Sequence, residues 1–262
     1  MQQTSALYKQ LTGQQDHFFE FTLTIGDSGN LITEKAETIT FGGFAINVAS
    51  GNAESGFREG MIYSLTTSHD VFKGDTPTIG GCMAGELNVR LKQLTGVIER
   101  AAPLRLYVRV ADSAGNHSEW IQKGVFFIDS REEDAGSGTV TLHGYDAMLR
   151  ADAPYPASRI TWGSAPNDLA VLQEIADSMG VEIDPRTFDI ISRNRYTIPL
   201  PSGYTMREVL GYIAAAYCGN FIIGDDGKLL LIAMNDLPDE TSYIINENGY
   251  AILFGGFAIR LE

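Results

Sequence analysis

Residues 104–110 read LRLYVRV, and this stretch decides the fold class. Its leucines and valines stand at even positions and alternate with arginine or tyrosine at odd positions. Successive side chains on a β-strand point to opposite faces, so strict alternation is typical of a strand with one buried face. The stretch therefore predicts a strand in a sheet that faces the core on one side.

The same pattern continues outward from this strand in both directions. Alternation recurs at 18–25 and 86–91, and further strands are predicted at 123–129, which carries the apolar run VFFI, and at 139–143. A weaker β pattern occurs at 39–48 and 59–67. The turn-forming run DSAGN at 112–116 predicts a hairpin between the strand at 104–110 and the strand at 123–129. Strands at this spacing, with no helical pattern between them, predict an antiparallel sandwich or barrel.

The period changes after Tyr145, where Pro154, Pro156 and Pro166 mark a linker. Helical spacing then predicts two helices. The first begins at Asn167 or Asp168 and ends at Gly180, and the second begins with the capping-box pair Thr205 and Glu208 and closes at Gly219. Apolar segments 221–223 and 229–232 flank the turn GDDG at 224–227 and predict a hairpin. Together these elements predict a small α+β unit.

One hexapeptide occurs twice, FGGFAI at 41–46 and again at 254–259. We interpret it as a strand that bends at a glycine pair and then resumes alternation, as the corners of a barrel require. The echo then indicates a second β-barrel that begins near residue 240 and is related to the first. The alternative is two unrelated strands that each bend at a glycine pair.

The predicted fold class is therefore β-rich α+β. After an N-terminal helix or arm, an antiparallel β-barrel domain is followed by a small α+β domain and by the start of a second β-barrel. The predicted bounds are an N-terminal helix or arm at 1–15, the barrel at 16–153, the α+β insertion at 154–236 and the returning strands at 237–262.

Composition restricts the classes of function. The chain has 19 basic and 33 acidic residues, a formal charge of −14, and a surface that negative repels phosphate backbones. We therefore expect no specific nucleic-acid binding, although DNA could slide along such a surface. The alternative explanation of the negative charge is that it keeps a free subunit in solution before assembly. The first eleven residues lack the pattern of a secretory signal, and no apolar run is long enough for membrane insertion.

A search for chemistry finds candidates without a reactive arrangement. The four histidines show no metal-ligand spacing, and the two cysteines are too few for a zinc site. Ser68, His69 and Asp70 include the residue types of a triad, but neighbours in sequence rarely converge, and the acidic pairs at 132–133, 225–226 and 239–240 lie in predicted turns. We predict no catalytic, cofactor-binding or metal-binding residues, no cofactor, and a protein that is not an enzyme.

Several segments carry a resemblance to a known family. They are IGGC at 79–82 with AGELNV at 84–89, GVFFID at 124–129 leading to TLHGYDAML at 141–149, and TMREVLGYIA at 205–214 with GNF at 219–221. Their order resembles the tail-hub proteins of prophages in Gram-positive bacteria. The resemblance covers about residues 35–235 and extends to myophage baseplate hubs, VgrG hubs of type VI secretion and the N-terminal region of siphophage tail-associated lysins.

The resemblance implies a structural component of a phage or prophage tail tip. In that family two β-barrels per subunit flank an α/β insertion, and a homotrimer forms a ring that continues the tail tube. It implies three kinds of partner, namely a distal tail or tail-tube protein, a tape-measure protein, and a tip fibre or lysin. It also implies that the chain lies at the tail tip of a virion that is assembled in the bacterial cytoplasm. Three residues follow the second hexapeptide, so a truncated second barrel is expected. An acidic lumen that lets DNA and tape-measure protein slide is a further expectation.

Two alternatives remain open. One is a carbohydrate-binding β-sandwich at a receptor-binding tip, although Trp120 and Trp162 are the only tryptophans and each fits a core position better than an exposed platform. The other is the non-catalytic N-terminal part of a tail-associated peptidoglycan hydrolase.

Overall fold

A computed structural model describes most of the two predicted domains. The described residues are 4–25, 40–41, 44–45, 61–72, 74, 76–92, 101–156, 166–192, 196–199, 201, 203–234, 253–254 and 257–258. The predicted strands around residue 240, Trp162 and the acidic pair at 239–240 lie outside these residues.

The first half of the chain forms one six-stranded antiparallel sheet. Its strands are β1 (Phe18–Ile25), β4 (Ile62–Ser68), β5 (Glu86–Lys92), β6 (Pro103–Ala111), β7 (Ile121–Asp134) and β8 (Thr139–Tyr145). They lie in the order β1-β6-β7-β8-β5-β4, and the sheet curls into a half-barrel. The β-rich α+β fold class is confirmed, and β1 and β4 are the outer strands of this sheet.

Alternation of apolar and polar residues determines which face of the sheet is buried. In β5 and β6, every second side chain is buried and the intervening ones are exposed or half-buried. The buried residues form one cluster: Leu23, Leu87, Val89, Leu91, Ala102, Leu104, Leu106, Phe126, Ile128, Val140 and Leu142. A slip of one residue in register would expose a strand's share of this cluster, so the pattern specifies the pairing.

The repeated hexapeptide has a different structure from the one predicted. Thr40–Phe41 (β2) pairs antiparallel with Phe44–Ala45 (β3), and Leu253–Phe254 (β11) pairs in the same way with Phe257–Ala258 (β12). The prediction of one strand that bends at the glycine pair is therefore wrong. Two residues separate strands that pair back on each other, which is the spacing of a tight hairpin, and Gly-Gly suits such a turn.

The second half of the chain forms an α+β unit, and a short helix precedes the sheet. The elements are α1 (Ala6–Thr12), a 3-10 helix (Ala147–Asp152), α2 (Asp168–Met179), α3 (Pro185–Ile191), α4 (Met206–Ala216), β9 (Gly219–Ile223) and β10 (Leu229–Ala233). Strands β9 and β10 pair antiparallel, as the hairpin prediction required.

The ends of α2 and α4 follow the capping rules. Asn167 accepts a hydrogen bond from the backbone N–H of Ala170, and Gly180 takes the left-handed conformation at φ 69° after the last turn of α2. Both halves of the Thr205–Glu208 capping box are present at the start of α4. The predicted closure of α4 at Gly219 is wrong, because Cys218 is the left-handed residue, at φ 52°.

The core of the α+β unit draws residues from outside it. Its buried cluster includes Cys82 from the loop before β5, and Ala147, Met148 and Ala151 from the 3-10 helix. These residues pack with the apolar faces of α2 and α4 and with Phe221 and Leu229 of the hairpin. The two halves are thus joined by shared packing, and the domain bounds stay a prediction.

Candidate assembly surface

Strand β1 is an outer strand with an exposed apolar end. It pairs with β6 along its whole length and with no other described strand. Phe18, Phe19 and Phe21 are 45, 46 and 44% exposed, whereas Leu23 further along the strand is fully buried. Because Phe19 and Phe21 lie opposite the buried Val110 and Val108, they extend the apolar face of the sheet to its rim.

Strand β4 is the opposite outer strand. Its sequence IYSLTTS contains no charged residue and no proline, and Tyr63 is 60% exposed. The register with β5 shifts between Ile62 and Ser64, which marks a bulge at the start of the strand. Proteins usually protect outer strands with lysine, proline or a covering element, and within the described residues β4 has none of these.

Polar contacts hold the N-terminal segment on the sheet. The carboxylate of Glu119 accepts hydrogen bonds from the backbone N–H of Ser5 (2.7 Å) and from the Ser5 hydroxyl (2.6 Å). These two bonds tie the start of α1 to the turn before β7. Hydrogen bonds from Ser5 hold the pKa of Glu119 below its usual range. Arg109 of β6 pairs with Glu20 of β1 at 2.5 Å and lies 4.4 Å over the ring of the half-buried Trp120. Trp120 is therefore covered on one face.

The loop that precedes β5 lies alongside β9. The backbone N–H of Gly80 donates to the carbonyl of Gly219 (2.8 Å), and the backbone N–H of Phe221 donates to the carbonyl of Gly81 (2.9 Å). The side chain of Asn220 adds two bonds, accepting from Gly81 N (2.6 Å) and donating to Thr78 O (2.7 Å). The glycine pair Gly80–Gly81 predicts a simple turn from sequence alone. That expectation is wrong, because the segment forms hydrogen bonds with β9 of the α+β unit.

Arg207, on the first turn of α4, joins three parts of the chain. Its guanidinium donates to both carboxylate oxygens of Asp152 (2.5 and 3.1 Å), to the carbonyl of Met148 (3.0 Å) and to the carbonyl of Cys82. A planar guanidinium suits such a divergent set of acceptors. No local sequence signal distinguishes Arg207 from the other arginines, so sequence analysis missed its role.

Asp146 occupies the junction between the sheet and the α+β unit. One carboxylate oxygen accepts from the backbone N–H of Gly85 (2.7 Å) and the other accepts from that of Met148 (2.9 Å). Burial raises the pKa of Asp146 to about 6, since desolvation outweighs these hydrogen bonds and the charge of Arg207. His69 lies on the same side of Gly85, since a Cβ at Gly85 would meet both Asp146 Oδ2 (2.8 Å) and His69 Nδ1 (3.0 Å). The His69 ring is edge-on to Phe126 at 5.4 Å, and desolvation lowers its pKa.

The residues of the candidate triad do not converge. Ser68 donates its hydroxyl hydrogen to Asp70 at 2.8 Å, while His69 packs against Phe126. The other histidines have separate partners: His17 contacts the carbonyl of Gln14 (2.6 Å), His117 lies near Glu20 (3.4 Å) and His143 near Glu86 (3.8 Å).

The cysteines and acidic pairs have separate environments. Cys82 is buried and burial raises the pKa of its thiol to about 12, as a packing residue requires. Cys218 is exposed, although its place at the end of a predicted helix favours a small packing residue, so that expectation is wrong. Asp225 accepts from Lys123 at 3.0 Å, which ties the β9–β10 turn to β7. Among the described residues, no group of three or more histidine, cysteine or acidic side chains could hold a metal ion.

A helix long and apolar enough to cross a bilayer is also absent from the described part of the chain.

No protein-family model and no curated protein matches the sequence. Among solved structures, the chain is similar to the 43 kDa tail protein of prophage MuSo2 from Shewanella oneidensis, with 12% identity and a TM-score of 0.46 over 86% of this chain and 59% of that one. It is similar to a tail protein from Neisseria meningitidis MC58, with 13% identity and a TM-score of 0.44 over 81% and 51% of the two chains.

A third similar structure is the Francisella PdpA-VgrG complex, with 10% identity and a TM-score of 0.39 over 83% of this chain and 31% of that one. The chain thus spans between 31 and 59% of the length of these structures. Two of these three structures are tail proteins, and the third is a complex that contains VgrG.

Proposed function

We propose that the chain is a structural subunit of a phage or prophage tail tip, which joins copies of itself into a hub ring. The observation that carries this proposal is a curled sheet whose two outer strands, β1 and β4, expose apolar side chains. Strand β4 has no charged residue, and the one charged residue of β1, Glu20, is paired with Arg109 of the neighbouring strand. The hub-like order of the sequence motifs supports the same role.

Joining an outer strand of one copy to that of the next satisfies backbone groups at both edges. Each interstrand hydrogen bond contributes about 0.5–1.5 kcal/mol net. Fully burying one exposed phenylalanine contributes about 1.5–3 kcal/mol, and β1 offers three that are already half-buried. A head-to-tail contact between different surfaces closes into a ring when the rotation between copies is right.

In this proposal the subunit acts by assembly. The homotrimer, the contacts with a distal tail or tail-tube protein, with tape-measure protein and with a tip fibre or lysin, and the acidic lumen are parts of the same proposal. On the polar face of the sheet both signs of charge occur, for example Glu86 and Arg90 on β5, so an acidic lumen would need acidic side chains from other segments.

Light scattering at several protein concentrations tests the proposal. We expect a species of about 86 kDa, three times the chain mass of 28.5 kDa. A lysine on either outer strand, Phe21→Lys or Tyr63→Lys, should shift the mass toward the monomer, because a buried unpaired charge opposes strand joining. Leu149→Lys, at an exposed apolar residue of the 3-10 helix, is the control and should leave the mass unchanged. A wild-type chain that stays monomeric at every concentration would contradict the proposal.

A further inference from the structure

A cleft lies between the sheet and the α+β unit, on the face of β6 and β7 that is opposite the buried cluster of the sheet. It has a volume of about 490 Å³. Pro103 and Phe127 line it from the sheet, and Val181 and Ile223 line it from the α+β unit. Concave spaces of this size are where proteins bind ligands, and the polar groups of the lining decide which ligand fits.

Arg150, in the last turn of the 3-10 helix, contributes a fixed guanidinium to this cleft. Its Cζ atom lies 4.0 Å from the centroid of the Phe127 ring, and its Nη1 donates a hydrogen bond to the carbonyl of Met179 (2.7 Å). A guanidinium carries five N–H donors in one plane, so these two contacts fix the plane while using one nitrogen. The side chain is thus oriented before a ligand arrives, which lowers the entropy cost of binding.

The charge of the cleft is opposite to that of the whole chain. Arg105 of β6 lines it together with Arg150, and Asp226 is the only carboxylate among the lining residues that the structure describes. One oxygen of Asp226 accepts a hydrogen bond from the backbone N–H of Lys228 (3.3 Å), so that carboxylate is turned toward its own β-turn. The sequence as a whole has 19 basic against 33 acidic residues. Two arginines against one acid therefore make this cleft a local cationic site.

The arginines and the apolar walls together select a carboxylate. The two oxygens of a carboxylate match the fork of a guanidinium, which gives short, charge-assisted hydrogen bonds. The apolar walls suit the aliphatic part of an acidic side chain, whereas a small inorganic anion would keep its water and leave these walls unused. A nucleic-acid backbone is disfavoured, because the net charge of −14 repels a polyanion at long range.

We propose that this cleft binds a carboxylate, supplied by an acidic side chain on a segment of another protein. Arg150 provides the oriented donors and Arg105 provides a second positive charge, while Pro103 and Val181 flank the aliphatic stem of the ligand. A free aliphatic dicarboxylic acid offers the same chemistry, and the experiment separates the two sources. The inference does not depend on ring assembly, because none of the described lining residues belongs to β1 or β4.

NMR titration of the isotope-labelled full-length chain tests the proposal, read at the backbone amides of Gly180 and Gly227, which both line the cleft. The ligand is acetyl-Ala-Glu-Glu-Ala amide, and the matched neutral peptide carries glutamine in place of glutamate. We expect saturable shifts with the glutamate peptide and none with the glutamine peptide. Arg150→Gln and Arg105→Gln should each weaken binding by about tenfold or more, because each removes a charged donor. Arg90→Gln, at an arginine of β5 outside the described lining of the cleft, should bind within about twofold of wild type.

Circular dichroism checks that each variant is folded, and Arg105→Gln keeps the test valid if loss of the Arg150 contacts unfolds the chain. Glutarate is titrated in parallel. Tighter binding of the peptide supports a protein segment as the ligand, whereas tighter binding of glutarate overturns that source and assigns the cleft to a small free acid.

The proposal is overturned if the glutamate peptide fails to saturate at millimolar concentration, or if the glutamine peptide shifts the same signals equally. It is also overturned if both arginine variants bind like wild type. Inorganic phosphate that saturates these signals, when the glutamate peptide does not, would overturn the choice of a carboxylate.

Discussion

Replacing Asp146 with asparagine should remove a pH dependence of the free energy of unfolding. This dependence arises because the Asp146 carboxyl is buried at the junction between the sheet and the α+β unit. Burial raises the pKa of Asp146 from 3.8 to about 6 in the folded chain. A carboxyl whose folded pKa lies above its unfolded value binds its proton more tightly when folded. Its stabilising contribution is therefore complete below about pH 3.8 and is lost as the pH rises through about 6.

The size of the effect follows from the two pKa values. Linkage gives a loss of about 2 kcal/mol in the free energy of unfolding between pH 4.5 and 7.5 from this carboxyl alone. In Asp146→Asn the side chain has no proton to lose in this range, so that loss disappears. Asparagine leaves one of the two backbone donors, Gly85 N or Met148 N, without its carboxylate acceptor, which adds a destabilisation that does not vary with pH.

Urea unfolding of both proteins at several pH values between 4.5 and 7.5 measures this difference. Asp134→Asn is a matched control, because hydrogen bonds in an exposed turn, chiefly from Ser137, lower the pKa of Asp134, and its titration lies below the tested range. The reasoning is refuted if the stability difference between wild type and Asp146→Asn is constant over the range, or if wild type becomes more stable relative to Asp146→Asn as the pH rises.

Three further outcomes are expected. Gly144→Ala should destabilise the chain by about 1–3 kcal/mol in urea unfolding, because its Cβ would lie 2.7 Å from the backbone oxygen of Phe127 on β7; unchanged stability would contradict the close packing of β7 and β8. Thr205→Ala should cost about 1 kcal/mol in the same assay through loss of the α4 cap, and Thr205→Ser should retain most of it. Under native conditions a thiol reagent should label Cys218 and spare Cys82, and labelling at both, read by mass spectrometry, would show that the buried site opens.

Local patterns made much of the fold predictable. Alternation in β5 and β6, the Asn167 cap of α2 and the capping box of α4 depend on residues within a few positions of one another. Helix α3 was missed although Asp184 followed by Pro185 is a valid start, with a cap and a proline in the first turn, because its seven residues show little periodicity.

The parts that were not predicted depend on distant contacts. The order of the sheet rests on pairs such as Leu23 with Leu106 and Val89 with Leu142, and no local pattern selects these partners. The glycine pair in FGGFAI suits both a bend and a hairpin, and only the pairing across it decides. The guanidinium of Arg207 and the carbonyl of Cys82 come from positions 125 residues apart.

The candidate assembly surface was only partly predictable, for the same reason. The sequence predicts β1 and β4 as strands, but whether a strand lies at an edge depends on the order of the whole sheet. The exposure of Phe19 and Phe21 was also not predictable, since the alternation at 18–25 is typical of a half-buried strand with those rings inside.

Site-specific cross-linking tests most directly whether outer strands of different copies meet. Phe21→Cys and Tyr63→Cys, each in a Cys218→Ser background, are mixed and treated with a short bismaleimide. The account predicts a covalent product of about 57 kDa, twice the chain mass of 28.5 kDa, in the mixture of the two variants and little in either variant alone. Equal cross-linking in each variant alone, or none in the mixture at concentrations where larger species are present, would contradict joining of β1 to β4.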